Sequence, residues 1–438
     1  MFKFLSVFVL LLQISFAQDK PNVVFILSDD QAWDDYGFMG SKEAFTPHLD
    51  KLASESLVFK RGYVTSPLCR PSLASMVTGL HTHQHKVTGN DVDGMKNRFE
   101  LDKPVKSYFH QQPSFIRELV KQGYMAHQSG KWWEGSFKDG GFTEGMTHGD
   151  PKRRGRHGDV GLDIGRKGMK PITEFIDNAV SKEKPFLIWY APFLPHTPHN
   201  PPKRLLKKYE KEGRGKDAAK YLAMIDWFDE TCGELLDYLK KKDLEKNTLV
   251  VYICDNGWKA PSQSVMDLPK GWPFSFSPRS KGSPFENGIR TPIMFKLPGK
   301  VKAEFSDDLA SAVDLYPTIL EACGVDVPDE MPGLNLLDQS AREKRDIIFG
   351  ASYSIHNITV GNPADTRQYR WAITKQWKYL LRDKGVDTTK YSYVHKWDQV
   401  QERLFDLQKD PGEKSNVVSD FPQVANELKE KLKSWLAD

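Results

Sequence analysis

The chain of 438 residues is long enough for one large domain and a smaller one, with ample core. Charged residues make up 27% and the aliphatic, aromatic and cysteine set 39%, a globular composition that excludes a disordered chain. Lys and Arg total 62 against 58 Asp and Glu, a near balance that argues against a dedicated nucleic-acid binder.

In chain order, residues 1–17 read as a secretory signal peptide. Lys3 supplies the positive start, FLSVFVLLLQI the short apolar core, and Ser15-Phe16-Ala17 a small-x-small cleavage site. The apolar run is too short for a membrane span, no cysteine follows it as a lipid anchor, and no later segment offers about 18 uncharged apolar residues. The expectation is a secreted or periplasmic protein with no stable membrane span. PNVVFILSDD is an apolar run of strand length that stops at two aspartates. Apolar throughout, it reads as a parallel-sheet strand covered on both faces. TPHLDKLASESLVF reads as a helix capped by Thr46, with Pro47 in its first turn. SPLCRPSLASMVTGL places Cys69 just before a helix with Pro71 in the first turn. SFIRELVKQGYMAHQSGKWW predicts a helix, a stop at Gly123 and a short strand. PITEFIDNAV is helical, PFLIWYAPF a buried strand, YLAMIDWFDETCGELLDYLKKKD a long amphipathic helix and NTLVVYICDNG a strand.

This alternation predicts an α/β domain over residues 18–340, a large, mainly parallel sheet sandwiched by helices. The pattern changes after residue 340. RQYRWAITKQWKYLLRD reads as two strands joined by a tight turn, QERLFDLQKDPGEKSNVV as a turn-rich strand, and FPQVANELKEKLKSWLAD as a closing helix. Residues 341–438 are expected to form a smaller α+β subdomain on a short antiparallel sheet. Residues 150–170 and 259–284, rich in Gly with charge or with Pro and Ser, read as long loops.

Four cysteines are too few for a disulfide scaffold in a large exported chain. Cys232, Cys254 and Cys323 sit in apolar surroundings and read as small buried hydrophobes. Cys69 stands at a helix start, which favours negative charge and lowers a thiol's pKa. Asp29 and Asp30 directly follow VVFIL, and Asp255 and Asn256 directly follow VVYIC. Ligands of open α/β sheets bind at the carboxyl ends of strands. If the two strands are neighbours, three carboxylates and an amide converge there, and a cation or raised pKa values must relieve them. Oxygen ligands favour Ca²⁺ or Mg²⁺ over zinc. Asp and Asn also cap turns after strands, which would account for either pair alone; two matching pairs favour a metal. A thiolate suits a hard cation poorly. The conflict disappears if Cys69 is oxidised to an aldehyde, whose hydrate offers the metal a hydroxyl.

On these residues the chain resembles the formylglycine-dependent sulfatases of the alkaline-phosphatase-like superfamily, from PNVVFILSDDQ to LFDLQKDPGEKSNV. CRPSLASMVTG resembles the Cys-x-Pro-Ser-Arg maturation motif with its trailing Thr-Gly, and GKWW resembles Gly-Lys-Trp-His. Motifs in the family's order make the match specific. The resemblance implies that a transient maturation enzyme converts Cys69 to formylglycine. It implies one cation, Ca²⁺ rather than Mg²⁺, at Asp29, Asp30, Cys69, Asp255 and Asn256. It places Lys131 and Lys281 on the sulfate and His196, in PHTPH, beside it. One hydroxyl of the hydrated aldehyde then attacks sulfur and the other expels sulfate, while the cation polarises the sulfate oxygens. His196, with an ordinary pKa near neutrality, protonates the leaving oxygen. His199 is expected to be structural or to face substrate.

The chain departs from the family at two positions: the arginine after Pro-Ser is Leu73, and the histidine of Gly-Lys-Trp-His is Trp133. In the family both help hold the formylglycine hydroxyls, and the modifying enzyme reads the arginine. Arg70, His148 and His157 are candidates to compensate, although the two histidines read more simply as solvated loop residues. Asn287, where the family often has Gly, is tolerated because Asn accommodates left-handed backbone. Trp33, Trp132, Trp133, Trp258 and Trp272 lie near motif segments, with Trp132 reading as core. Together with the KRRGR run at 152–156 and export, they favour a sulfated carbohydrate over a small aryl sulfate as substrate. The alternatives are a phosphoester or phosphonate hydrolase of the same superfamily, and an inactive sulfated-glycan binder in which Cys69 stays a thiol.

Overall fold

The computed structural model describes residues 20–92, 98–149, 159–258, 280–357, 359–383 and 400–436. The signal-peptide reading of residues 1–17, the KRRGR run, His157 and Trp272 lie outside the described residues. The strands in chain order are β1 (Asn22–Ser28), β2 (Leu57–Tyr63), β3 (Asp91–Val92), β4 (Met125–Gly130), β5 (Glu144–Gly145), β6 (Phe186–Ala191) and β7 (Thr248–Cys254). They continue with β8 (Arg290–Lys296), β9 (Glu304–Ser311), β10 (Ile347–Tyr353), β11 (His356–Asn357), β12 (Arg367–Thr374), β13 (Trp377–Arg382) and β14 (Glu402–Asp406).

Eight of them form the main sheet in the order β5-β4-β6-β1-β7-β8-β2-β9. β8 runs antiparallel to both neighbours, and the remaining pairs are parallel. The uniformly apolar strands β1, β6 and β7 lie at its centre and are buried along their whole length, as expected where helices cover both faces. Alternate residues of β1 feed two cores. Val23, Phe25 and Leu27 pack with the helices Cys69–Thr78, Phe115–Lys121 and Leu315–Ala322. Val24 and Ile26 pack with the helices Pro47–Ser54, Lys170–Ser181 and Lys216–Lys241.

The helix predicted from Thr46 ends at Ser54, and Leu57–Tyr63 is a strand inside the main sheet. The Thr46 side chain does not cap that helix; its hydroxyl accepts from Gly37 N–H and donates to Asp50. The helix start is capped instead by Asp229, whose carboxylate accepts the N–H groups of His48 (3.1 Å) and Leu49 (2.8 Å).

β10, β12, β13 and β14 form the antiparallel C-terminal sheet, with the predicted tight turn between Thr374 and Trp377. One face packs Ala372, Tyr379, Leu381 and Leu404 against Ala425, Leu428 and Leu432 of the closing helix Pro422–Trp435. The other face, through Tyr369, Trp371, Leu380 and Phe405, joins the main core. Cys69, Cys232, Cys254 and Cys323 are all free and buried.

Candidate active site

β1 and β7 are adjacent and parallel, with Ser28 opposite Cys254. The residues that follow them therefore emerge side by side: Asp255 N–H donates to Ser28 O (3.1 Å), and Asp30 N–H donates to Asp255 Oδ1 (3.0 Å). Asp30 turns the chain with φ +63°, a left-handed conformation that Asp reaches more readily than most residues. Asp29, Asp30, Asp255 and Asn256 are all at most 2% exposed.

Two lysines close over these carboxylates. Lys131 bridges Asp29 and Asp255, with 2.6 Å to Asp255 Oδ2. Gly130 makes that possible: at φ +87° a Cβ there would lie 1.8 Å from Ala191 O, so only glycine lets Lys131 N–H reach that carbonyl at 2.7 Å. Lys281 pairs with Asp30, and its Nζ lies 2.9 Å from Cys69 Sγ. Cys69 is the first residue of the helix Cys69–Thr78, with Sγ 3.8 Å from Asp30 Oδ1. His196 Nε2 lies 3.5 Å from Asp30 Oδ2, and its Nδ1 bonds the Thr197 carbonyl. All eight residues singled out from the sequence thus converge on one buried centre.

The site carries three carboxylates against two lysines. Burial pushes Asp29 well above the carboxylate range despite the opposing Lys131. Burial acts the same way on Asp30, but Lys281, His196 and Lys131 outweigh it and hold the group low. Burial also pushes the Cys69 thiol up to about 12, against the pull of both lysines. The helix N-terminus does not activate this thiol, because desolvation of the thiolate dominates. Burial lowers His196 to about 3, well below the ordinary value assumed from sequence; Asp30 pulls it up while Lys281 and Lys131 push it down.

Asp29 Oδ2, Asp30 Oδ2 and Asn256 Oδ1 are buried without a hydrogen bond. The Asn256 amide donates its Nδ2 to Asp30 Oδ1 (2.7 Å) and Gly257 O (2.9 Å), which leaves its oxygen free for the site. Orphaned buried oxygens are costly, and an all-oxygen set fits a hard divalent cation. Ligand atoms of Asp29, Asp30, Cys69 and His196 lie within 4.8 Å of one another. Asp255 stands apart from that group, one oxygen held by Asp30 N–H and the other by Lys131.

The candidate compensations resolve differently. Arg70 turns away from Cys69 and is 1% exposed. Its Nε and Nη2 bind Glu134 at 2.7 and 2.9 Å, and Nη1 binds Asp102 at 2.5 Å. Glu134 and Asp102 escaped sequence reasoning because they lie 64 and 32 residues away, with no local pattern to mark them. Leu73 packs into the main core. Trp133 carries the Lys131 ammonium 5.2 Å above its ring. His148 is exposed against Phe137. His199 is lowered to about 4 chiefly by burial while Asp30 pulls it up, and its ring lies 5.5 Å from Tyr221. Asn287 needs no left-handed backbone; it lies in the helical turn Glu286–Ile289 and accepts from Trp33 Nε1 at 3.0 Å. Trp132 and Trp258 are core residues, 2% and 1% exposed. Trp33 is half-buried and stacked on the Arg290 guanidinium at 3.9 Å.

Residues 21–325 match the family model described as Sulfatase, and residues 280–438 match N-sulphoglucosamine sulphohydrolase, C-terminal. Arylsulfatase A of Homo sapiens is 24% identical, covering 94% of this chain and 86% of its own. The N-acetylgalactosamine-6-O-sulfatase of Bacteroides thetaiotaomicron is 23% identical, covering 95% and 93%. Among solved structures, Ps i-CgsB in complex with k-i-k-neocarrahexaose shares the fold with a TM-score of 0.73 and 23% identity, covering 95% of this chain and 92% of that one. The chain belongs to the formylglycine-dependent sulfatase family of the alkaline-phosphatase-like superfamily and is a sulfuric ester hydrolase.

Proposed function

We propose that the protein is an exported enzyme that removes sulfate from a sulfated carbohydrate, with residue 69 working as formylglycine beside one Ca²⁺. The observation that carries this reading is the meeting of the residue-69 side chain with Lys281, Asp30 and three unbonded buried oxygens. When bound, the cation polarises sulfate oxygens, and formylglycine supplies the hydrated aldehyde as nucleophile. Asp29, Asp30 and Asn256, which carry the unbonded oxygens, would hold the cation, and Asp255 would join them on exchanging its Lys131 contact for the ion. Lys131 and Lys281, paired with the carboxylates in a buried cluster, would turn their ammonium groups to the sulfate where charge stabilisation is far stronger than in water. The Nδ1 of His196 donates to the Thr197 carbonyl, so Nε2 is the nitrogen turned toward the leaving oxygen, as an acceptor in the neutral ring that burial enforces.

Of the three relatives, one is an N-acetylgalactosamine-6-O-sulfatase and one is seen in complex with k-i-k-neocarrahexaose, and these two support a carbohydrate substrate. Export rests on residues 1–17. Among the described residues no helix is long and apolar enough to cross a membrane. The test is sulfate release from a panel of sulfated glycans, run beside sulfate and phosphate monoesters. Sulfated glycans are expected to give the higher kcat/KM. Preference for phosphate monoesters would assign the site to a phosphoester hydrolase instead.

A further inference from the structure

The segment that carries Lys281 is fastened from the C-terminal sheet. Asp410 to Glu413 close a turn, Glu413 N–H donating to Asp410 O at 3.0 Å, and Glu413 adopts φ +52°. That conformation is strained for glutamate and persists where the surroundings over-determine it. Glu413 Oε2 accepts the N–H of Glu286 at 2.7 Å, and its Oε1 pairs with Lys378 Nζ of β13 at 2.8 Å. Lys378 also reaches Glu286 Oε1 at 3.2 Å, and Tyr63 OH donates to Glu286 Oε2 at 3.0 Å. Glu286, Lys378 and Glu413 are 1%, 0% and 1% exposed, so this is a buried charge network and not a surface ion pair.

From Glu286 the contacts run directly into the site. A Cβ on Gly288 would lie 2.1 Å from Ser283 O and 2.6 Å from Ser280 O, so residues 280–289 are coiled with no slack. A Cβ on Gly257, beside Asn256, would lie 1.6 Å from Asn287 O. Lys281 N–H donates to Trp258 O at 2.9 Å, and Gly282 N–H to Pro67 O at 2.9 Å, two residues before Cys69. Displacing Glu286 therefore moves the backbone of Lys281 against residue 69, and a close-packed interior transmits that shift without absorbing it.

We propose that Glu413, with Lys378, is a positioning residue: acting through Glu286 and residues 280–289, it sets the place of the Lys281 ammonium beside residue 69. The inference rests on the sulfatase reading of Lys281 given above. It makes the C-terminal sheet a working part of the catalytic site, although none of its residues touches the reacting atoms.

The test is a double-mutant cycle in the host-matured, full-length enzyme, with sulfate release as readout. Glu413→Ala is expected to lower kcat/KM by about 100-fold, the scale of an ångström's misplacement. Glu413→Gln keeps an oxygen for the Glu286 N–H and is expected to recover most of that loss. In a Lys281→Ala background, Glu413→Ala is expected to add little, because both changes remove the same placed ammonium. Where Glu413→Ala does not fold, Lys378→Met/Glu413→Leu removes both opposite charges and the acceptor of the Glu286 N–H at similar volume and is expected to show the same non-additivity. A folded Glu413→Ala enzyme with full kcat/KM, or losses that add fully to that of Lys281→Ala, would overturn the inference. So would a crystal structure of Glu413→Ala with Lys281 unmoved. If the wild-type enzyme released no sulfate from any ester, the reading of the site would fail, and that crystal structure would still decide whether Glu413 sets the position of Lys281.

Discussion

Replacing Lys131 by methionine removes the ammonium that bridges Asp29 and Asp255 while keeping most of the side-chain volume. The wild-type cluster of three carboxylates and two lysines then becomes three carboxylates and one lysine. Lys131, Asp29 and Asp255 are at most 1% exposed along their side chains, so solvent does not screen the change. Stripping one partner from a buried ion pair costs about 3–5 kcal/mol, because the remaining charge stays desolvated. That is the loss expected with chelator present. Ca²⁺ bound as proposed would return positive charge to the cluster, and a ligand at 100 times its Kd returns about 2.7 kcal/mol. The substitution should therefore lower the thermal midpoint strongly in chelator and make it depend on Ca²⁺ more steeply than in wild type, while turnover falls in both conditions. The assay is thermal denaturation of both proteins across a calcium titration. An unchanged midpoint in chelator, or an unchanged calcium dependence, would refute the electrostatic account of the cluster.

Arg70→Ala leaves Glu134 buried without its bidentate partner and should cost about 3–5 kcal/mol. Sulfate release per folded molecule should stay near wild type; lost turnover at unchanged thermal stability would place Arg70 in the chemistry after all. Burial holds the histidines of HTHQH neutral, with His81, His83 and His85 lowered to about 3, 4 and 3. Their unfolded forms take up protons near pH 6.5, so stability is full above that pH and falls as pH drops toward the folded values. The loss at pH 5 is about 2 kcal/mol for a fully buried histidine. His85 Nδ1 accepts Val87 N–H, leaving Nε2 to donate to Ser75, so His85→Asn should flatten the acid limb of a pH–stability profile. An unchanged limb would mean that other groups control it. Cys69→Ala should abolish sulfate release with little change in thermal midpoint, and full activity in that variant would remove residue 69 from the mechanism.

The central architecture was legible where a single physical signal dominated. VVFIL and VVYIC are apolar without alternation because both faces are covered, and each stops at polar residues because the strand leaves the core there. β2 and β9 were not legible. β2 carries Lys60 and Arg61 within seven residues, and β9 is an edge strand whose first half is partly solvated, so neither shows a clean period. The convergence of Asp29, Asp30, Asp255, Asn256, Lys131, His196, Lys281 and Cys69 followed from motif order and strand ends. The direction of Arg70 did not, since adjacency to Cys69 says nothing about which way a helical side chain points. The thiol's raised pKa was missed for a related reason: the helix N-terminus is visible in sequence, whereas the burial that outweighs it is not. The Glu286–Lys378–Glu413 network joins three distant segments and left no local trace.

The proposed chemistry depends most on what residue 69 becomes. A peptide mass spectrum of the protein matured in its own host should show the Cys69 peptide lighter than its cysteine form by about 18 Da, the replacement of CH₂SH by CHO in forming the nucleophile. An unmodified thiol at full occupancy in protein that still releases sulfate would contradict it.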